Sequence, residues 1–173
     1  VGAYDGETYS NSLALERYYN WTGVLIEGLP SEFAKLRAKN RNAYLLEACL
    51  SNVTNPTTLF MKPSGWDTRV NANGTAAHAV TCVPISAVLE ALGWFEFDLI
   101  TLDVEGHESK VLASFDWTKT KVQRFQIECN PCMNRLKLKH IMRWRAEMAA
   151  YGYKHVDTIG YNGLDLIFAP INS

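Results

Sequence analysis

The chain has 173 residues, 47% hydrophobic and 20% charged, with a formal net charge of −1 and a pI near 6.5. These values suit one globular domain over residues 1–173 with a real core. They exclude a broad nucleic-acid-binding surface, which needs clustered Lys and Arg. No apolar run approaches the roughly 18 to 20 residues of a membrane span.

Val1-Gly2-Ala3 reads as the end of a strand, so the expectation is a domain cut from a longer chain, its first strand truncated. Ser10 to Tyr19 is a predicted helix offering Leu13, Leu15 and Tyr19 to the core. Gly23 to Ile26 is a short buried strand closed by Glu27. Pro30 opens the next helix, with Ser31 the expected N-cap and Phe33 and Leu36 facing inward. Ala43 to Glu47 and Thr57 to Met61 are further strands. Residues 62–78 lack periodicity and read as a long loop, whose flanking Trp66 and His78 could shield a bound ligand. Val80 to Val83 returns as a strand, and Ser86 to Leu92 is a helix stopped by Gly93. Phe97 to Leu102 is the strongest strand pattern. Gln123 to Glu128 is another buried strand, and Leu136 to Tyr151 a long helix. Tyr153 to Thr158 and Leu164 to Ala169 close the chain as a hairpin through Gly160-Tyr161-Asn162-Gly163. The alternation predicts an α/β fold: a mostly parallel sheet with an antiparallel edge.

Four cysteines are too few for a disulfide scaffold of this length. Cys49 and Cys82 are expected to be buried small hydrophobes. Cys129 and Cys132 form a C-x-x-C pair that lacks the second pair of a zinc site. Three N-x-S/T sequons begin at Asn20, Asn52 and Asn73. They matter only in a secretory compartment; the sequence does not fix the compartment, and the expectation favours a cytoplasmic setting with a luminal one left open by the sequons.

Parallel α/β sheets bind ligands beyond the carboxyl ends of their strands. Here those ends are Gly2-Ala3-Tyr4-Asp5-Gly6, Glu27, Ala48-Cys49, Asp103 to Glu108, and Glu128. They are rich in acid and glycine. Glu27 lies about twenty residues beyond the glycine turn, where an acid can accept hydrogen bonds from ribose hydroxyls. The turn lacks the G-x-G-x-x-G pattern of a pyrophosphate site. S-adenosylmethionine (SAM), with a ribose, a sulfonium cation and no phosphate, suits these residues better than NAD. The plainer reading is that the glycines form turns and the acids end solvated loops.

Val1-Gly2-Ala3-Tyr4-Asp5-Gly6-Glu7-Thr8 resembles the first SAM-binding motif of the FkbM-type methyltransferases. Leu25-Ile26-Glu27-Gly28-Leu29-Pro30 resembles their second-strand motif, with Gly28 where the family commonly has Pro. Leu102-Asp103-Val104-Glu105-Gly106-His107-Glu108 is similar to their D-V-E-G-x-E signature, and Phe125 to Glu128 to the next strand. The resemblance implies a Rossmann-like class I methyltransferase fold: a mostly parallel sheet with an antiparallel closing strand and helices on both faces. It implies SAM as donor and a hydroxyl acceptor on a small molecule or glycan, a sugar favoured. Gly2, Ala3, Asp5 and Gly6 would then line the methionine part of SAM, and Glu27 would hold the ribose. Tyr4, Ala48, Cys49 and Asp103 join the expected cofactor contacts. Asp103, Glu105 and Glu108 would sit beside the methyl group and acceptor.

Removing the acceptor proton needs a base within hydrogen-bond reach. His107 is the first candidate and Asp103 the second, with Glu105 and Glu108 orienting the hydroxyl. The competing roles are structural: His107 capping a helix, Asp103 accepting loop N–H groups, Glu108 serving as a helix-start acid. A metal bridging Asp103, Glu105 and Glu128 is conceivable, but adjacent loop acids often face apart, so none is expected. Two other classes stay open: a catalytically inactive methyltransferase-fold interaction module, and a nucleotide-sugar or NAD-dependent enzyme. The expected partners are the acceptor and other domains of a parent chain, with no nucleic acid.

Overall fold

A computed structural model describes residues 1–64, 67–71, 78–129, 137–160 and 165–172. In chain order the elements are α1 (Leu13–Tyr19), β1 (Val24–Glu27), α2 (Pro30–Ala38), β2 (Tyr44–Glu47), β3 (Cys49–Leu50), β4 (Thr57–Ser64), β5 (Asp67–Asn71) and β6 (His78–Val83). There follow α3 (Ile85–Leu92), β7 (Glu96–Leu102), α4 (Glu108–Leu112), β8 (Lys121–Glu128), α5 (Lys137–Ala150), β9 (Tyr153–Ile159) and β10 (Asp165–Pro170).

The class is α/β, but the expected single, mostly parallel Rossmann-like sheet does not form. Among the described residues the strands sort into three small sheets, ordered β1-β2, β7-β8-β10-β9 and β3-β6-β4-β5. Parallel pairing is confined to β1–β2, β3–β6 and β7–β8. β4 runs antiparallel to β5 and β6, and β10 antiparallel to β8 and β9.

Two physical causes account for the difference. First, β4 runs on to Ser64 and pairs with β5 from Phe60↔Asn71 to Ser64↔Asp67, inside the stretch expected to be loop. Strands as close in sequence as these can pair only antiparallel, because parallel pairing needs a crossover of about a dozen or more residues. Trp66, expected to flank a lid, lies outside the described residues. Second, Val1–Ala3 bridges the β1 and β7 edges. Gly2 N and Ala3 N both donate to Ile26 O at 3.0 Å, and Asp103 N donates to Val1 O at 3.2 Å. Both N–H groups converge on one carbonyl, so Val1–Ala3 is not itself a strand and the sheet divides there while the hydrogen bonds still join its parts. The closing β9–β10 hairpin pairs as expected, its turn residues 161–164 lying outside the described set.

The main core lies under the β7-β8-β10 sheet. Leu102, Phe125, Ile127, Leu166 and Phe168 are sealed there by Val111 and Leu112 of α4 and Met148 of α5. Burying each such side chain stabilises by about 1.5 to 3 kcal/mol. Two helix details differ from expectation. The N-cap of α2 is Leu29 rather than Ser31, with Pro30 in the first turn, where its missing N–H costs nothing. Tyr19 is exposed rather than in the core, and α1 buries no residue. α1 and its preceding loop are held instead by Arg41. Its Nε donates to Glu16 Oε2 at 2.7 Å, and its Nη groups donate to Gly6 O, Ser10 Oγ and Ser12 Oγ.

Cys49 and Cys82 are buried as expected, but they are not free hydrophobes. The parallel β3–β6 register sets them opposite each other, with Cα atoms 4.4 Å apart, and a disulfide joins them. That separation lies at the short end of the usual disulfide range. Cys129 is disulfide-bonded as well; Cys132 lies outside the described residues.

Candidate active site

A cleft of about 380 Å³ opens where the carboxyl ends of β1, β2 and β7 meet. That volume falls within the range of small-molecule sites. One wall is the Val1–Tyr4 segment. Here Gly2 takes φ +77°, and a Cβ built on it would lie 1.7 Å from Asp103 O. Glycine is therefore required for two backbones to touch. The expectation was that Gly2 and Gly6 let backbone approach a ligand. The close partners are instead protein: Asp103 for Gly2 and the Leu36 side chain for Gly6.

Glu27 closes β1 inside the cleft and is buried. Its Oε2 accepts Tyr4 N–H at 2.8 Å and its Oε1 accepts Leu29 N–H at 2.7 Å. Burial pushes its pKa up, while those two hydrogen bonds pull it down. Glu27 thus ties the first turn to the start of α2 and keeps lone pairs for a further donor. Ala48 and Cys49 line the floor with Ile26 and Met61. Asp5 and Gly6 lie outside the lining. Asp5 Oδ1 accepts Glu7 N–H and Thr8 N–H at 2.9 and 2.7 Å, so it shapes the turn.

The loop after β7 supplies the opposite wall. Asp103, Val104, Glu105 and His107 line the cleft. Glu105 is left-handed at φ 56°, and Gly106 follows at φ 92°. Glu108 turns away from the cleft: buried, its Oε1 accepts Val104 N–H and Gly106 N–H, both at 3.1 Å. It is the brace of this loop. His107 starts α4, and its Nε2 lies 3.4 Å from the buried Ser51 Oγ. Burial, then the Lys110 charge, holds its pKa below the usual histidine value. It is neutral at pH 7 and able to accept a proton.

A protein-family model for the methyltransferase FkbM domain matches residues 1–155. The chain belongs to the FkbM methyltransferase family. No curated protein and no solved structure matches it. In this methyltransferase domain the left-handed turn at Glu105 brings Asp103, Glu105 and Glu128 together instead of splaying them. Their carboxylate oxygens all lie within 4.8 Å of one another. Oxygen ligands of this kind suit a hard divalent cation. The same crowding drives a proton onto the group. Glu128 is pushed up to about 9, by burial first and by the charge of Asp103 second.

That shift gives a stability prediction. Folded Glu128 keeps a proton that the unfolded chain releases above its ordinary pKa of about 4.3. Its contribution is therefore greatest below that value and is lost as pH rises toward about 9. Glu128→Gln removes this loss. Its melting temperature should exceed that of the wild type at about pH 8 and converge with it near pH 4. Parallel melting curves at both pH values would mean that Glu128 ionises freely in the fold.

Sequence reasoning missed two residues here. Ser51 abuts His107 only through the β3–β6 arrangement. Asp165 starts β10 opposite Glu128 and accepts Gln126 Nε2–H at 2.9 Å. Inspecting only the carboxyl ends of strands overlooks it, because a reversed strand brings its amino end to the site. The expected antiparallel closing strand was the signal that could have found Asp165.

Proposed function

We propose that this domain transfers a methyl group from SAM to a hydroxyl of a small molecule or glycan, with a sugar hydroxyl as the favoured acceptor. One observation carries the choice of donor. Among the described residues the cleft walls hold four carboxylates, Glu27, Glu32, Asp103 and Glu105, and no Lys or Arg. Such walls repel phosphates and attract cations. NAD brings a pyrophosphate, whereas SAM brings a sulfonium and an amino group. The apolar floor of Ile26, Leu50 and Met61 suits a flat base. Glu27 would accept the ribose hydroxyls, and Asp103 and the Val1–Tyr4 backbone would hold the methionine end. When bound, SAM supplies an electrophilic methyl group.

The acceptor side rests on His107. In the tautomer whose Nε2–H donates to Ser51, Nδ1 is the base. Glu105 lies on the same wall, where it can orient the hydroxyl. Calorimetric titration with S-adenosylhomocysteine, with NAD in parallel, tests the donor. Saturable one-to-one binding of the first alone is expected. Glu27→Ala should weaken it by about 1 to 3 kcal/mol, the scale of a lost hydrogen bond to a charged group. Binding of NAD in its place, or of neither compound, would overturn the reading.

A further inference from the structure

Two sets of residues outside the cleft point to the same chemistry. The first is the cysteines: Cys49 is joined to Cys82, Cys129 is disulfide-bonded, and no cysteine among the described residues is free. Disulfides form and persist in oxidising compartments, which secreted and luminal chains pass through. The second is the sequons. Asn20-Trp21-Thr22 and Asn52-Val53-Thr54 carry no proline at the middle position. Both asparagines are exposed and stand outside helices and strands. Asn73-Gly74-Thr75 lies outside the described residues.

The surroundings of Asn20 fit an attached sugar. It caps the C-terminus of α1 in the left-handed conformation, at φ 55° and ψ 33°. Its backbone N–H is spent on the helix, donating to Glu16 O at 3.1 Å. No hydrogen bond among the described residues engages its side-chain amide. Tyr18, Tyr19 and Trp21 flank it, exposed by 81%, 71% and 39%. Aromatic rings left in water at a protein surface call for a cover, and the C–H face of a pyranose ring is a suitable one. Asn52 sits on the exposed turn after β3, three residues beyond the disulfide cysteine Cys49. One segment thus carries both marks of an oxidising compartment.

We propose that Asn20 and Asn52 are N-glycosylation sites and that the chain matures where the Cys49–Cys82 disulfide forms. At each site the asparagine Nδ2 bonds to the anomeric carbon of an oligosaccharide carried on a polyprenyl diphosphate. The carbon–oxygen bond to the diphosphate breaks, the diphosphate leaves with the electron pair, and Nδ2 gives up one proton. The disulfide needs a disulfide-exchange oxidant, which takes two electrons and two protons from the thiols. Neither asparagine lines the cleft, so the inference stands apart from the proposed methyl transfer.

The full chain, directed into the secretory pathway of a eukaryotic cell, is treated with peptide N-glycosidase in ¹⁸O water, and its peptides are weighed. ¹⁸O-labelled aspartate at positions 20 and 52 is the expected result, in protein whose Cys49 and Cys82 resist alkylation before reduction. Because the wild type alone locates the sites, no variant has to fold. Thr22→Ala and Thr54→Ala should each abolish one label, and Thr22→Ser should keep it. An unlabelled asparagine in oxidised protein overturns the assignment for that residue. Free thiols at Cys49 and Cys82 in secreted protein overturn the assignment of the compartment.

Discussion

Gly2→Ala should destabilise the domain by about 3 kcal/mol or more and abolish cofactor binding. An alanine Cβ there would stand 1.7 Å from the Asp103 carbonyl oxygen and 2.9 Å from its carbon. Both atoms belong to backbone, so no rotamer change relieves the contact. The φ of +77° adds about 1 to 2 kcal/mol of left-handed strain, and overpacking adds about 1 to 3 kcal/mol or more. Relief requires the Val1–Tyr4 segment to part from the loop after β7. That breaks the contact holding two walls of the cleft together. Gly106→Ala is the internal control. It shares a positive φ of 92°, but its added Cβ meets nothing within 4 Å. Urea unfolding separates the two: the midpoint should fall furthest for Gly2→Ala and by the left-handed strain alone for Gly106→Ala, with similar slopes. Equal midpoints would show that the Gly2–Asp103 contact does not hold the fold.

The strands that end at the cleft were legible because each is a short, largely apolar run with an acid or small residue at its end. Val24–Glu27 and Glu96–Leu102 needed no knowledge of pairing. What stayed hidden depends on register. The Cys49–Cys82 disulfide exists because β3 and β6 set those residues opposite each other across 33 positions of sequence. The β4–β5 hairpin hid in a Gly-, Asn- and Thr-rich stretch with weak strand patterning. The two glutamates of the D-V-E-G-x-E segment take different directions for a reason periodicity does not carry. Glu105 stands left-handed on the cleft wall, while Glu108 folds back onto the Val104 and Gly106 N–H groups. Arg41 was unreadable for a similar reason: its acceptors on Gly6, Ser10, Ser12 and Glu16 are 25 to 35 residues away.

On the proposed reaction, His107→Ala should lower kcat by about 10²- to 10⁴-fold while leaving S-adenosylhomocysteine affinity within a few-fold. His107 is the one histidine on the described cleft walls. The carboxylates beside it either share a proton, as Glu128 does, or accept loop N–H groups, as Glu108 does. Burial and Lys110 lower the His107 pKa, so kcat/KM should hold level through neutral pH. It should fall only below the ordinary histidine value of about 6.5. Ser51→Ala should act through the orientation of the ring. It should lower kcat less than His107→Ala does and move the acid limb, since the Oγ lies 3.4 Å from Nε2. Added imidazole should restore part of the turnover of His107→Ala and none to Ser51→Ala. Full turnover by His107→Ala would remove the residue from the chemistry and pass the proton to Asp103, whose replacement by Asn would then carry the loss.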